Sequence, residues 1–495
     1  MAEHLHPERL AKLEAWRRAG QDPYPYAFAR THRSDAVRAQ EGQLAGQEIA
    51  IAGRMVTQRT HGKTAFAHVQ DGGGRLQVYA RLDDLGAAQF EVWGLLEVGD
   101  IVGVRGELFR TRTDELTVRV REFQLLSKAM RPLPDKWHGL ADKEVRYRQR
   151  YVDLIVNEEV RAVFVKRSRL LACVRTFLGA RGWLEVETPV LQPLYGGATA
   201  RPFATHHNAL DTQLYLRIAP ELYLKRLLVG GFEGVFEIAR NFRNEGMDRT
   251  HNPEFTMLEL YVALWDYQDM LRLTEEMLVH AADEVLGSRQ LVFGGQALDF
   301  TPPFARVKYF DALERAAGSA LRRADNATLG KVAEQHGIDT RPDAERGELL
   351  EALFSTLVEP HLLQPTFVLD HPQEISPLAK RHRSEAGVVE RFELFAAGME
   401  LANAFSELND PLEQRQRFEA QLQLRAGGAL ETHPLDEDFL RALEYGMPPA
   451  SGLGVGLDRV AMLWSDSASI RDVLLFPAMR PESPESDTPE TCEKG

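Results

Sequence analysis

Cysteine is almost absent from this 495-residue chain, which carries only Cys173 and Cys492. Two distant cysteines exclude a disulfide framework and offer no zinc spacing. They point to a reducing, cytoplasmic setting. Long apolar runs are also missing. No stretch of about eighteen apolar residues occurs, so no membrane span is expected. The opening MAEHLHPERLAKLEAW mixes acids with bases and reads as an amphipathic helix, not a signal peptide. Net positive charge is lacking as well: 59 Lys and Arg stand against 73 Asp and Glu, a balance of -14. Taken whole, that argues against nucleic acid. Its distribution argues the other way. Residues 1–150 hold 24 bases and 20 acids, and the remainder holds 35 bases and 53 acids. A basic front on an acidic body suits a polyanion-binding module attached to something else.

What is present is an ordinary globular composition, 44% hydrophobic and 27% charged, in a chain long enough for two or three domains. Residues 49–127 alternate like short strands: IAIAGRMV, TAFAHVQD, GRLQVYA, DIVGVRGELF and ELTVRVREFQLL, separated by turns such as DGGGR and EVGD. Five strands in about eighty residues fit a small Greek-key barrel of OB type. RPLPDKW at 131–137 punctuates the chain as a linker. A long helical stretch then runs to Gly179–Gly182, followed by a strand in WLEVETPVL. Further on, PELYLKRLLVGG and WDYQDMLRLTEEMLVHAADEVL read as helices. GVFEIAR, FTMLELYVAL and PTFVLDHP read as strands. SGLGVGLDRVAMLW reads as a glycine-rich turn running into a buried helix. The tail RPESPESDTPETCEKG is expected to be disordered.

Four features carry chemistry. NFRNEGMDRTHNPEF sets Arg243 and Glu245 at a strand end, with Arg249, His251 and Asn252 in the loop and Phe255 on the return. An arginine fork clamps carboxylate or phosphate, and a Phe face can stack on a purine. In GLGVGLDR, glycines let backbone approach a ligand and Arg459 opens a helix. Glu393 and Glu400 in RFELFAAGMELANAF could hold Mg²⁺ beside nucleotide phosphates. Seven apart on one strand they would face opposite ways, so that reading needs a kink or bulge. Glu221, Glu259 and Glu407 lie in apolar segments, where a carboxylate requires a partner. A cationic ligand would supply one; internal pairing with Lys225, Arg226 or Arg217 is the alternative.

In order, GWLEVETP, FRNEGMDRTHNPEFTMLELY and GLGVGLDR resemble the three signature motifs of the class II aminoacyl-tRNA synthetases. RPLPDKWHGLADKEVRYRQRYVDL, GGATARPFATHHNALD, LYLRIAPELYLKRLLVGGFEGVFEIARNFRNEG and ANAFSELNDP narrow the likeness to the bacterial lysyl-tRNA synthetases, within the aspartyl, asparaginyl and lysyl subgroup. The resemblance spans about residues 5–480. It implies an α+β chain: a helical extension at 1–48, an OB-fold anticodon-binding barrel at 49–130 and a linker at 131–145. The class II catalytic domain at 146–480, an antiparallel sheet flanked by helices, would carry a helical insertion at about 310–362. An acidic tail at 481–495 lies outside the likeness.

The resemblance also implies roles. Arg243 and Arg459 would be catalytic. ATP would be held by Arg243, Glu245, His251, Asn252, Phe255 and Arg459, with Mg²⁺ at Glu393 and Glu400. Lysine would be held by Gly197, Glu221, Arg243, Glu259, Tyr261, Asn403, Phe405, Glu407 and Gly454. Arg54, Phe66 and Gln77 would read the anticodon of tRNA(Lys). A cytoplasmic homodimer follows, with motif one, ending at Pro189, in the interface. Met399, Ala402, Ala404 and His68 depart from residues common in the family. Two other readings are a tRNA-independent protein lysyltransferase and a non-catalytic tRNA-binding paralogue. The first would lack the barrel and carry Ala at Gly454; the second would have lost the arginines or the Mg²⁺ acids.

Overall fold

The computed structural model describes residues 6–134, 140–341, 343–426 and 434–481. They divide into two units, Met1–Ala141 and Asp142–Gly495. The first is built by alternation. Helix α1 (Pro7–Arg18) leads to strands β1 (Glu48–His61), β2 (Thr64–Asp71) and β3 (Gly74–Arg81), helix α2 (Leu82–Trp93), then β4 (Ile101–Arg110) and β5 (Leu116–Ser127). On β2 the small or apolar Ala65, Ala67 and Val69 face the core, and Phe66, His68 and Gln70 face out. The sheet closes in the order β1-β2-β3-β5-β4, with β3 and β5 parallel, as the OB reading expects. Helix α2 was not foreseen. It spans the β3–β4 connection and buries Trp93 in the barrel core. Trp16, Val37 and Leu44 enter the same core, so the N-terminal helices are part of the barrel's packing.

The expected linker at 131–145 is partly helical, since Lys143–Arg148 forms a helix; residues 135–139 lie outside those described. The long helix expected after it is broken. Arg150–Val156 is followed by α3 (Glu158–Gly179), with Asn157 between them in extended conformation. WLEVETPVL yields only β6 (Leu184–Glu185) and Leu191–Gln192. Thr188 between them binds the Glu237 carboxylate, and Pro189 has no N–H to add to a ladder.

The second unit continues with α4 (Glu221–Val229), β7 (Gly234–Phe242), β8 (Glu254–Ala263), α5 (Tyr267–Leu286) and β9 (Ala305–Lys308). Three helices follow, α6 (Tyr309–Ala317), α7 (Asn326–Gln335) and α8 (Arg346–Leu357), then β10 (Thr366–Leu369), β11 (Arg391–Ala396), β12 (Met399–Ser406), β13 (Ala450–Gly456) and α9 (Leu457–Trp464). The sheet order is β9-β10-β11-β12-β13-β8-β7-β6. Its interior is antiparallel as expected, but both edge pairs, β9–β10 and β7–β6, are parallel. A parallel pair needs a long crossover. Helices α6 to α8 are that crossover, which is why an insertion is legible at 310–362. SGLGVG is not a turn: it is β13, paired on both sides in the sheet's middle. Among the described residues no helix is long and apolar enough to cross a membrane.

Period two again divides labour. Leu258, Leu260 and Val262 on β8, Phe392 and Leu394 on β11, and Leu453 and Val455 on β13 pack into one core with α3, α5 and α9. Met257, Glu259, Tyr261, Arg391, Glu393, Asn403 and Phe405 point the other way, with Gly452, Gly454 and Gly456 opposite them. One face is sealed; the other is polar and concave.

Candidate active site

A cavity of about 390 Å³ lies on that open face. Its wall includes Gly197, Glu221, Arg243, Glu245, His251, Asn252, Phe255, Glu259, Tyr261, Glu393, Glu400, Asn403, Phe405, Gly454 and Arg459. Every residue expected at the ATP, metal or amino-acid site is there except Glu407. That residue is buried beside the cavity, where a Cβ on Gly452 would collide with it and with Tyr261. Gly197 has φ +85°, and a Cβ there would lie 2.9 Å from the Glu221 Cβ, so only glycine brings the backbone onto this carboxylate.

Charge is unevenly matched in the cavity. Internal pairing is real but incomplete. Lys225 Nζ donates to Glu221 Oε1 at 2.5 Å, one helical turn away on α4, and also pairs with Glu407. Arg217 is spent on Glu237 and Arg226 on Asp436. Among the described residues, Glu259 has only the Tyr261 hydroxyl as a hydrogen-bond partner, 3.2 Å away. Burial, with Glu221 nearby, pushes the Glu259 carboxyl up to about 8. Burial also pushes Glu407 well up, against the pull of Lys225. Of these three carboxylates, two share one ammonium and the third, Glu259, has no ion pair among the described residues.

Arg243 is the converse. It follows β7, and its backbone N–H donates to Pro253 O at 2.9 Å, closing the loop's base. Its guanidinium lies 5.2 Å from the Phe255 ring centroid, and its buried Nε has no acceptor. Burial lowers its pKa while Glu245, Glu400 and Glu259 resist. A desolvated guanidinium with open donors is a receptor for an anion. Across the cavity, Arg459 donates to the Glu400 carbonyl at 2.7 Å and to His251 Nε2 at 3.1 Å. His251 Nε2 therefore accepts, and Nδ1–H donates to Asp248 at 2.8 Å. Asn252 is buried and anchors the loop, donating to Glu254 O and accepting from Ala478 N–H.

Glu393 and Glu400 are not on one strand. β11 and β12 form a hairpin turning at Ala397 and Gly398, both with positive φ, and a register shift between Leu394 and Phe395 sets Glu400 opposite Phe395. The expected bulge exists, with a turn beside it, and both acids reach the cavity. Their oxygen donors suit a hard cation such as Mg²⁺. Glu359 nearby is pushed up to about 7 by burial and by Glu393, Glu400 and Glu351, so negative charge here exceeds its local compensation. A divalent cation fits that donor set. Arg391 was not anticipated. It donates to Glu393 Oε1 at 2.5 Å and to Asn403 Oδ1 at 3.0 Å, holding both in place. The available signal was an arginine two positions before Glu393, hence on the same strand face.

On the barrel, Phe66 and Gln77 share the outer face. Phe66 stacks on Tyr79 with centroids 4.5 Å apart. Gln77 donates to Glu115 at 2.7 Å and accepts from Thr117 at 2.8 Å. The Glu115 carboxylate also meets His68 Nε2 at 2.8 Å. Arg54 does not join them. It lies beyond a bulge, opposite Gln70, and donates to Gly99 O at 2.6 Å. Arg59, unremarked in the sequence, stands directly opposite Phe66.

A two-arginine cradle, a loop between antiparallel strands and a paired-acid hairpin define a class, and the chain belongs to it: the class II tRNA synthetases of the D, K and N group, whose family profile matches residues 142–480. A second profile, OB-fold nucleic acid binding domain, matches residues 49–126. Over almost its whole length the chain is similar to proteins named lysine–tRNA ligase. That of Moorella thermoacetica is 54% identical over 477 residues, covering 96% of this chain and 97% of the relative. That of Syntrophomonas wolfei is 53% identical, covering 97% and 98%, and that of Carboxydothermus hydrogenoformans 52%, covering 96% and 97%.

Proposed function

We propose that this enzyme is a lysine–tRNA ligase. The observation that carries the reading is the excess of buried carboxylate at Glu221, Glu259 and Glu407 beside an unspent guanidinium at Arg243. An amino acid with a second ammonium group completes both. Glu221 and the Gly197 backbone receive the α-ammonium. Glu259, Tyr261 and Glu407 surround the ε-ammonium, with Phe405 and Gly454 shaping its path. Asn403 and Arg243 take the carboxylate.

The lysine carboxylate oxygen attacks the α-phosphorus of ATP, and the bond to the β-phosphate oxygen breaks. Lysyl-adenylate and pyrophosphate result. A hydroxyl of the tRNA terminal ribose then attacks the lysyl carbonyl and AMP departs. No side chain has to take the proton of a carboxylate nucleophile, so rate comes from alignment and charge. Arg243 holds the α-phosphate, Phe255 stacks on adenine with Glu245, His251 and Asn252 around it, and Arg459 takes the far side of the nucleotide. Glu393 and Glu400 would hold Mg²⁺, which when bound neutralises triphosphate charge. Phe66 and Gln77 fit base recognition on the barrel; Arg54, committed to Gly99, fits it poorly and Arg59 better. The barrel and Gly454 favour tRNA over a protein acceptor, and the intact arginines favour catalysis over binding alone.

The homodimer belongs to this reading. Leu184, Val190, Leu191 and Phe232 are 40–48% exposed around motif one, and Leu210 is 70% exposed. Apolar groups so placed suit coverage by a second copy. A cytoplasmic location fits the same function.

The test is ATP–pyrophosphate exchange with lysine, ornithine, arginine and aspartate supplied separately. Lysine should support exchange over the others by roughly 10⁴ where the analogue leaves buried charge unpaired. Exchange with aspartate instead would overturn the proposal. Charging of total tRNA with lysine tests the second step.

A further inference from the structure

Lys225 is fully buried, lies behind the cavity wall, and has no part in the reaction described above. Its ammonium joins Glu221, from its own helix, to Glu407, which follows β12. The Phe405 and Phe439 rings cover it at 5.5 and 5.9 Å. Burial opposes its charge, yet Glu221 and Glu407 keep its pKa above the ordinary lysine value. It therefore stays an ammonium. The other charged groups facing this cluster are accounted for. Glu259 stands across the cavity with Tyr261. Arg391 is engaged by Glu393 and Asn403, Arg217 and Glu237 neutralise each other, and Arg243 faces the substrate carboxylate.

With all groups ionised, Glu221, Glu259 and Glu407 carry three negative charges and Lys225 one positive. Two negative charges remain. A lysine substrate brings two ammonium groups to this end of the cavity and one carboxylate to Arg243. We infer that Lys225 is a positioning residue for amino-acid selection: it ties Glu221 to Glu407 and sets the pocket's charge to the value that a two-ammonium substrate neutralises. This rests on the proposed reading of the cavity as a lysine site. Charge matching is a strong discriminator here because each group is desolvated, and an uncompensated buried charge is strongly unfavourable.

The inference makes a sign prediction. Lys225→Met leaves three carboxylates, and Glu407→Gln leaves a pocket with one net negative charge; each is mismatched. The double variant restores two negative charges with an uncharged pair of similar volume. In the full-length protein, each single change should raise the lysine KM at least tenfold in pyrophosphate exchange and leave the ATP KM within twofold. The double variant should bind lysine better than Glu407→Gln alone. Removal of Lys225 is thus harmful in one background and helpful in the other. The pH profile should move as well. Lysine KM in the wild type should fall as pH rises toward 8, because Glu259 must ionise to receive an ammonium. In Lys225→Met that fall should flatten, because the surplus carboxylate is best carried as the acid.

A double variant worse than both singles, with an unchanged pH profile, would reduce Lys225 to a packing role and overturn the inference. If Lys225→Met does not fold, the comparison of the double variant with Glu407→Gln still decides it. Absence of lysine-dependent exchange in the wild type would defeat the underlying site reading instead, which keeps the two failures apart.

Discussion

The barrel face and the catalytic cavity both gather polar residues on one side of a sheet, and they treat them oppositely. On the barrel the polar groups around Gln77 are already satisfied. His68 and Gln77 share Glu115, Thr117 donates to Gln77, and Phe66 leans on Tyr79. In the cavity, Arg243 has a buried donor without an acceptor among the described residues, two carboxylates divide one lysine, and Glu259 has no cation paired with it there. A satisfied surface is stable alone and recognises by shape and stacking. An unsatisfied cavity holds charge in reserve and spends it on the ligand. The difference teaches where each region is fragile: the barrel in recognition, the cavity in chemistry.

Four measurements would break or sharpen that contrast. The largest effect belongs to Arg243→Ala, which should lower lysine-dependent pyrophosphate exchange by at least ~10³, about 4 kcal/mol. Its thermal midpoint should not fall, because the removed cation has no internal hydrogen bond to lose; a large loss of stability would show that Arg243 is structural. Next is Glu259→Gln. It should raise the lysine KM by roughly 10²-fold or more, about 3 kcal/mol, from loss of a buried charge partner. The same variant tests a pH effect. The Glu259 carboxyl is pushed up to about 8 from an ordinary value of 4.5, so the folded state binds the proton between those limits and the unfolded chain does not. Stability of the ligand-free protein should therefore decline as pH rises from about 4.5 to about 8, and Glu259→Gln should flatten that decline in thermal melts. Smaller is Phe66→Ala, expected to weaken tRNA charging by about 1–3 kcal/mol in kcat/KM with pyrophosphate exchange unchanged. The smallest belongs to Arg54→Ala. Loss of its bond to Gly99 should lower stability by about 1 kcal/mol and leave tRNA affinity unaltered, whereas Arg59→Ala should weaken it.

Much of this was legible in sequence because it is local. The barrel strands announce themselves by period two, and the loop 243–255 by its charged residues between apolar strands. The crossover helices show as a polar helical interlude. What escaped depends on distance through space. Glycines at 452, 454 and 456 look like a turn until two neighbouring strands pair with them and the bare face proves to be cavity wall. Arg391 looks like an ordinary charge until Asn403 arrives from the next strand, and Lys225, named as a candidate partner, gains Glu407 only through the fold. The full burial of Glu407 against Gly452 and Tyr261 cannot be read from a linear pattern. Arg54 and Arg59 differ only by a bulge, which changes where each side chain points.

The order in which the chain is made gives β13 a further meaning. This strand, Ala450–Gly456, sits between β12 and β8 and joins the two halves of the catalytic sheet. The stretch after it supplies Arg459, and Ile470 and Ala478 N–H groups donate to Arg249 and Asn252 of the 243–255 loop. All of this lies C-terminal to the strands and the loop that it joins. A nascent chain can complete its barrel early, because those contacts close within the first unit, but its catalytic sheet stays in two pieces until β13 has been made. The barrel can therefore fold before the catalytic sheet is whole, and that sheet closes only when its central strand is made.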